Sequence, residues 1–269
     1  MPEWVVAILL GVVEGVTEFL PVSSTGHLLI AQRWLPRQSD LFNIVIQSGT
    51  VLAVLAVFAG RLRQLIETQR EPATRSYLGK IVLAFIITGF GGLALDKSGL
   101  KLPENVAPVA WATLIGGVFF LWVERRKSGE RAGVRAGVAV TQEVTWTIAF
   151  AAAAAQLLAA AFPGASRSGA TILVALLLGL SRPMAVEFSF LLGVPTLLAA
   201  GMWKTYKALK QTAPPTADEW LLLLLGTATA ALTAFVAVKW LLRFVQTHTF
   251  VAFGWYRIAL GLLLLLWVA

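Results

Sequence analysis

Residues 14–27 read EGVTEFLPVSSTGH, and they interrupt an apolar region that otherwise runs from 5 to 35. The stretch holds Glu14, Glu18, Ser23, Ser24, Thr25 and His27 in a chain with only two histidines. Ionisable groups at bilayer depth are expensive, and they face a bundle interior or a wet cavity where they carry chemistry or transport. Pro21 and the Ser-Ser-Thr-Gly run break helical backbone at the same place. Irregular backbone at that depth is tolerated only where protein or water surrounds it. The pattern therefore predicts two short helices joined by a buried polar turn, a re-entrant hairpin over 5–35, instead of one continuous span.

The rest of the chain sets this hairpin in a membrane. Of its 269 residues, 58% are hydrophobic and 13% charged, where a soluble domain carries about a quarter charged. Six apolar stretches are long enough to span: 42–59, 78–95, 107–123, 186–203, 219–238 and 250–268. The net charge of +8 falls in short loops, which points to anionic headgroups and positive-inside topology and away from nucleic acid. The lack of cysteine excludes a disulfide frame, a thiolate metal site and a thiol nucleophile. The apolar run from Val5 to Leu20 has no basic region before it and carries Glu14 and Glu18, so it is expected to stay in place and not act as a cleaved signal.

A second broken region lies at 144–180, interrupted by Pro163-Gly164 and Ser166-Arg167-Ser168-Gly169. Glu14 stands seven residues before Pro21, as Gln156 does before Pro163. FNIVIQSGTVLAV from Phe42 matches FSFLLGVPTLLAA from Phe188. The expected fold is an all-α integral membrane protein of one domain, 1–269, built as an inverted-topology repeat. Repeat 1 covers 1–123 and repeat 2 covers 144–269, each a re-entrant helical hairpin plus three of the six full transmembrane helices. Three spans is an odd number, so the second copy lies upside down and the two hairpins meet near the midplane. With both termini outside, the inner loops hold twelve lysines and arginines and the outer ones seven, in the sense of the positive-inside rule. All ten tryptophans fall at or near segment ends, as an interfacial belt requires.

Glu14 and Glu18 are four apart and share a helix face. Two adjacent carboxylates in low dielectric call for a proton or a cation between them, and a divalent ion such as Mg²⁺ or Ca²⁺ with phosphate oxygens as further ligands would serve. A structural pair bonded to other side chains is the alternative. Ser23, Ser24, Thr25 and Gly26, at the start of the next short helix, would form an anion cradle. Ser24 and His27, three apart, could approach each other as a nucleophile and its base, or serve only as a cap and a core histidine. Arg167 needs an anionic partner, either Glu14 or Glu18 as structure or a phosphate held bidentately. Ser166, Ser168 and Thr171 would add donors around it. Gln47, with Asn43, supports the site if the repeat packs tightly. His248 is expected in a solvated loop, Arg257 to snorkel from the last span, and the basic run 124–135 to form a solvated face.

EGVTEFLPVSSTGH and PGASRSGAT closely resemble the two signature motifs of the undecaprenyl-diphosphate phosphatase family, also called the bacitracin-resistance protein family. The intervening segments resemble it too, so the resemblance covers essentially the whole chain. It implies a bacterial inner-membrane enzyme that removes the terminal phosphate of undecaprenyl diphosphate, the lipid carrier for peptidoglycan, at a site opening to the extracytoplasmic side. By the same resemblance Glu14, Glu18, Ser24, His27 and Arg167 are the family's functional residues. The alanine run 151–155 stands where family members often carry glycine. On this reading Ser24 attacks, with His27 or Glu18 taking its proton; a phosphohistidine at His27 and a metal-activated water are the alternatives. The rival function is a transporter or lipid flippase of inverted-repeat architecture. A homodimer remains open.

Overall fold

The computed structural model describes residues 1–97, 106–131, 140–211 and 214–268. Among them are twelve helices: α1 (Glu3–Thr17), α2 (Ser24–Trp34), α3 (Asp40–Gly49), α4 (Val51–Val57), α5 (Ala59–Glu67), α6 (Pro72–Lys97), α7 (Val106–Arg131), α8 (Trp146–Ala161), α9 (Arg167–Leu177), α10 (Arg182–Leu209), α11 (Ala217–Thr247) and α12 (Val251–Val268). Five segments are long and apolar enough to cross a membrane: Asp40–Val57, Pro72–Lys97, Val106–Lys127, Arg182–Leu209 and Ala217–Thr247. The sixth expected span is α12, whose stretch Val251–Trp267 is a shorter apolar helix. The protein is an all-α integral membrane protein. Leu224, Leu232 and Val236 on α11 are about 70% exposed (70%, 72% and 68%), a surface suited to lipid and not to water.

Several boundaries differ from the hydropathy reading. Residues 60–67, expected as loop, form most of α5, and α7 and α11 run on to Arg131 and Thr247. Hydropathy marks only the part of a helix that meets hydrocarbon, while the backbone ladder continues into the polar region. The run 124–135 is also not uniformly solvated. Glu124 and Lys127 are buried; Glu124 pairs with the buried Arg182, and Lys127 donates to the Leu180 carbonyl at 2.9 Å. Lys101 and Arg135, two of the counted loop charges, lie outside the described residues.

Two pairs of helices approach closely because glycine faces backbone. A Cβ at Gly11 of α1 would lie 2.5 Å from the Gly226 carbonyl oxygen of α11, and one at Gly117 of α7 would lie 2.7 Å from that of Gly254 in α12. Without a hydrophobic drive between helices in lipid, such small-residue seams let dispersion and backbone contact hold them. α8 packs on α6, and α3 on α10, in the same bundle.

The broken helices have local causes. The span from Asp40 to Val57 is interrupted at Thr50, whose hydroxyl donates to the Gln47 carbonyl at 2.6 Å. α10 contains Pro195, which removes a backbone donor. Thr196 next to it donates to the carbonyls of Leu192 and Gly193 at 3.1 and 3.0 Å. The two threonines occupy matching places in the FNIVIQSGT and FSFLLGVPT segments.

Candidate active site

Both hairpins turn by the same device. Ser23 and Ser166 have φ of 73° and 68°, the only non-glycine residues with positive φ among those described. Such a conformation costs about 1–3 kcal/mol and persists where its surroundings enforce it. Each serine caps the helix that follows: Ser23 Oγ accepts from Gly26 N at 3.3 Å and Ser166 Oγ from Gly169 N at 3.1 Å. The residue after each is a candidate for chemistry, Ser24 at the start of α2 and Arg167 at the start of α9.

The first hairpin supplies the carboxylates. Helical backbone continues through Glu18, whose N–H donates to the Glu14 carbonyl at 2.8 Å, so Glu14 and Glu18 lie one turn apart. Both are buried. Glu18 Oε2 accepts from Ser24 Oγ at 2.8 Å and from Gln47 Nε2 at 2.9 Å. Its Oε1 faces Arg167 Nη2 at 3.2 Å. Five of the expected residues are thereby tied to one another or stacked in sequence: Glu14, Glu18, Ser24, Gln47 and Arg167.

The cluster also holds unpartnered polar atoms. Both carboxylate oxygens of Glu14, and Nε and Nη1 of Arg167, are buried with no hydrogen-bond partner among the described residues. Buried polar groups are nearly always paired, and an exception calls for an explanation such as a ligand. Arg167 is placed by packing on either side: its guanidinium lies 5.7 Å over the Phe19 ring. On the other side, a Cβ at position 193 would fall 2.9 Å from its Cζ. Glycine at 193 thus leaves the slot that the guanidinium fills.

The remaining expected residues are placed differently. His27 does not bond Ser24. Its Nδ1 meets the Ser23 carbonyl at 2.8 Å and its Nε2 the Tyr256 hydroxyl at 2.6 Å. Ser23 and Tyr256 take both ring nitrogens, and Glu18 is the acceptor that Ser24 finds instead. Thr25 is exposed, and Gly26 is buried with its N–H on the Ser23 cap. In the second hairpin the hydroxyls are engaged by protein. Ser168 donates to the carbonyls of Glu18 and Leu20 at 3.3 Å each, joining one hairpin to the other. Thr171 donates to the Arg167 carbonyl at 2.9 Å and pairs with Ser189 at 2.5 Å. Ser166 and Ser168 lie 3.3 Å apart. Asn43 accepts from Gln32 at 3.3 Å, away from Glu18. Exposed His248 bonds Thr247 at 2.8 Å, as a loop histidine would.

Arg257 is where the sequence reading fails. It does not snorkel: it is 0% exposed. Its guanidinium donates to the Pro21 carbonyl at 3.2 Å in the first turn, and to Gly164 and Ala165 at 3.0 and 3.1 Å in the second. Nε reaches Thr113 O at 3.2 Å. A charge buried without a carboxylate is tolerable when carbonyl dipoles surround it. Arg257 and Tyr256, both missed as site residues, come from α12. Their only sequence signal is an arginine one to two turns inside an apolar helix, which marks depth but not neighbours.

Comparison with known proteins agrees with this geometry. The profile of the family described as bacitracin resistance protein BacA matches residues 7–263. The chain is 45% identical to an undecaprenyl-diphosphatase of Rhizobium etli (strain CIAT 652), over 98% of this chain and 96% of that protein. It is equally 45% identical to undecaprenyl-diphosphatases of Xylella fastidiosa (strain 9a5c), over the whole of both chains, and Xanthomonas euvesicatoria pv. vesicatoria (strain 85-10), over 100% of this chain and 98% of that protein. Matched from the first hairpin through the last helix, the chain belongs to the bacitracin resistance protein BacA family.

Proposed function

We propose that this protein hydrolyses undecaprenyl diphosphate to undecaprenyl phosphate and inorganic phosphate, recycling the carrier for peptidoglycan synthesis and conferring bacitracin resistance. The observation that carries the reading is the buried set of unpartnered groups, the two oxygens of Glu14 and the two nitrogens of Arg167, beside a serine bonded to a carboxylate. A diphosphate with its counter-cation complements all of them.

In the mechanism, Glu18 takes the proton of Ser24 as Oγ attacks the terminal phosphorus. The bond from phosphorus to the bridging oxygen breaks, and undecaprenyl phosphate leaves with that oxygen. Water then attacks the phosphoserine, His27 accepts its proton, and Ser24 recovers its own from Glu18 as phosphate departs. Phosphoryl transfer asks chiefly for positioning and charge stabilisation. Arg167 provides both, with Nη2 on Glu18 and the buried Nε and Nη1 left without a protein partner for phosphate oxygens.

A divalent cation fits Glu14, whose two oxygens have no protein partner. No group of three or more His, Asp or Glu side chains gathers among the described residues. Glu14 and Glu18 would therefore be the protein's share, with phosphate oxygens and water as the other ligands. Bound there, the ion would neutralise phosphate charge.

The reading includes an inverted repeat, 1–123 and 144–269, in a single membrane domain with six spans and two re-entrant hairpins. The matching serine turns support it. So do the helix pairings: α1 on α11 answers α8 on α6, and α3 on α10 and α7 on α12 each pair a helix with its own counterpart. The termini are outside the bacterial inner membrane and the site opens outward, as the loop charges favour.

The test is phosphate release by purified, detergent-solubilised protein given the C55 diphosphate with Mg²⁺ or Ca²⁺. Wild type releases phosphate, and Ser24→Ala abolishes turnover while leaving lipid binding intact. Residual turnover above a few per cent would remove Ser24 as nucleophile. Absence of release by native protein would favour transport.

A further inference from the structure

We propose that Tyr256 positions His27 and relays the proton of the attacking water to it. The inference rests on the phosphatase reading and goes beyond it. The Tyr256 hydroxyl lies 2.6 Å from His27 Nε2. The two rings are parallel, 2° apart in plane with centroids separated by 5.7 Å.

The tautomer follows from the other side of the ring. His27 Nδ1 sits 2.8 Å from the Ser23 carbonyl, which can only accept. Nδ1 therefore carries the proton, Nε2 keeps its lone pair, and Tyr256 donates to it. When His27 gains a proton, it does so at Nε2. The lone pair there already receives the Tyr256 O–H, so the proton comes through the phenol: Tyr256 gives its own proton to Nε2, its oxygen takes the one from the attacking water, and it then accepts the new N–H. The ring thus has both nitrogens satisfied before and after the transfer and needs no reorientation.

The setting makes Tyr256 the fixed partner. The backbones of α2 and α12 hardly approach each other. They meet through side chains, at His27 and Tyr256 and at the stacked Trp34 and Trp267, 6.0 Å apart. α12 itself is anchored along α7 and by the buried Arg257, the next residue in the chain. On α2, Ser24, Gly26 and Leu28 are buried. Without the hydroxyl, His27 would be oriented by one backbone carbonyl alone.

The experiment compares Tyr256→Phe with wild type in the same phosphate-release assay. Phenylalanine keeps the stacked ring. We expect kcat to fall about tenfold, as for one hydrogen bond to a group that becomes charged, with KM within twofold. In a His27→Gln background, Tyr256→Phe should cost nothing more, since the two act as one unit. In a His248→Gln protein, which has a single histidine, the ¹⁵N resonance of Nε2 should move on Tyr256→Phe while Nδ1 remains protonated. A rise in KM with kcat unchanged, additive losses in the double variant, or an unmoved Nε2 resonance would each overturn the proposal. Turnover by wild type with unaffected Tyr256→Phe defeats this inference alone; no turnover by wild type defeats the phosphatase reading.

Discussion

The turns before α2 and α9 share a left-handed serine, a cap onto the glycine three residues on, and a helix that begins at the next residue. Their surroundings diverge. Glu14 in α1 is matched by Gln156 in α8, and both are buried. Gln156 Nε2 donates to Thr88 at 3.0 Å and its Oε1 accepts from Thr196 at 3.4 Å. The Glu14 oxygens have no partner. α9 is buried along most of its length, whereas α2 is not. At this matched position the second hairpin is satisfied by protein, although its Arg167 leaves Nε and Nη1 without a partner. The first keeps an acid whose oxygens have no hydrogen-bond partner among the described residues.

The largest effect should come from making the copies alike at that position. Glu14→Gln gives the first hairpin the amide that the second already has. Turnover should fall about a hundred- to a thousandfold, the scale of losing one group that stabilises developing charge. Thermal stability in detergent should hold or rise, because an unpaired buried carboxylate is itself destabilising. Phosphate release and a melting curve on one preparation check both halves; retained turnover would break the comparison.

Arg257 tests what the hairpins have in common. It alone among the described residues donates to both turns. Arg257→Met keeps the length and removes the donors, leaving several buried carbonyls unpaired at about 1–3 kcal/mol each. We expect a stability loss of about 3 kcal/mol or more, read as a lowered unfolding midpoint, with activity falling alongside. Unchanged stability would mean that the turns hold themselves.

Much of this was written in the sequence, for identifiable reasons. Pro21 with Ser-Ser-Thr-Gly, and Pro163-Gly164 with Ser-Arg-Ser-Gly, each combine several helix breakers, where the lone Pro195 leaves α10 continuous, so the hairpins were legible. Glu14, Glu18 and Arg167 are costly at depth, so their association was legible as well. The partner of Ser24 was legible only as a choice between His27 and Glu18. Spacing along α2 suggested His27, but Glu18, six residues back across a turn, is the nearer acceptor, and only the fold of the turn decides that. Arg257 and Tyr256 were invisible because hydropathy reports how deep a residue sits and not what it faces. The hydroxyls of Ser168 and Thr171 were read as open donors, yet each found a carbonyl close by.

The smallest expected effect is also the most specific to the difference between copies. Gln47, on α3, reaches Glu18; at the matching place in FSFLLGVPT stands Gly193 on α10. The missing side chain is the room that Arg167 occupies. Gly193→Ala should not harm the helix, since alanine is favoured over glycine there by about 1 kcal/mol. Its methyl would meet only the far end of a flexible arginine, which can move aside. The loosened buried pair of Arg167 and Glu18 outweighs that gain, so stability should fall somewhat. The guanidinium would leave the position in which Nη2 holds Glu18 while Nε and Nη1 stay open. KM for the C55 diphosphate should rise about tenfold, as for one weakened charged hydrogen bond, with a smaller change in kcat. An unchanged KM would show that Arg167 does not need this slot, and that glycine at 193 serves the packing of α10 alone.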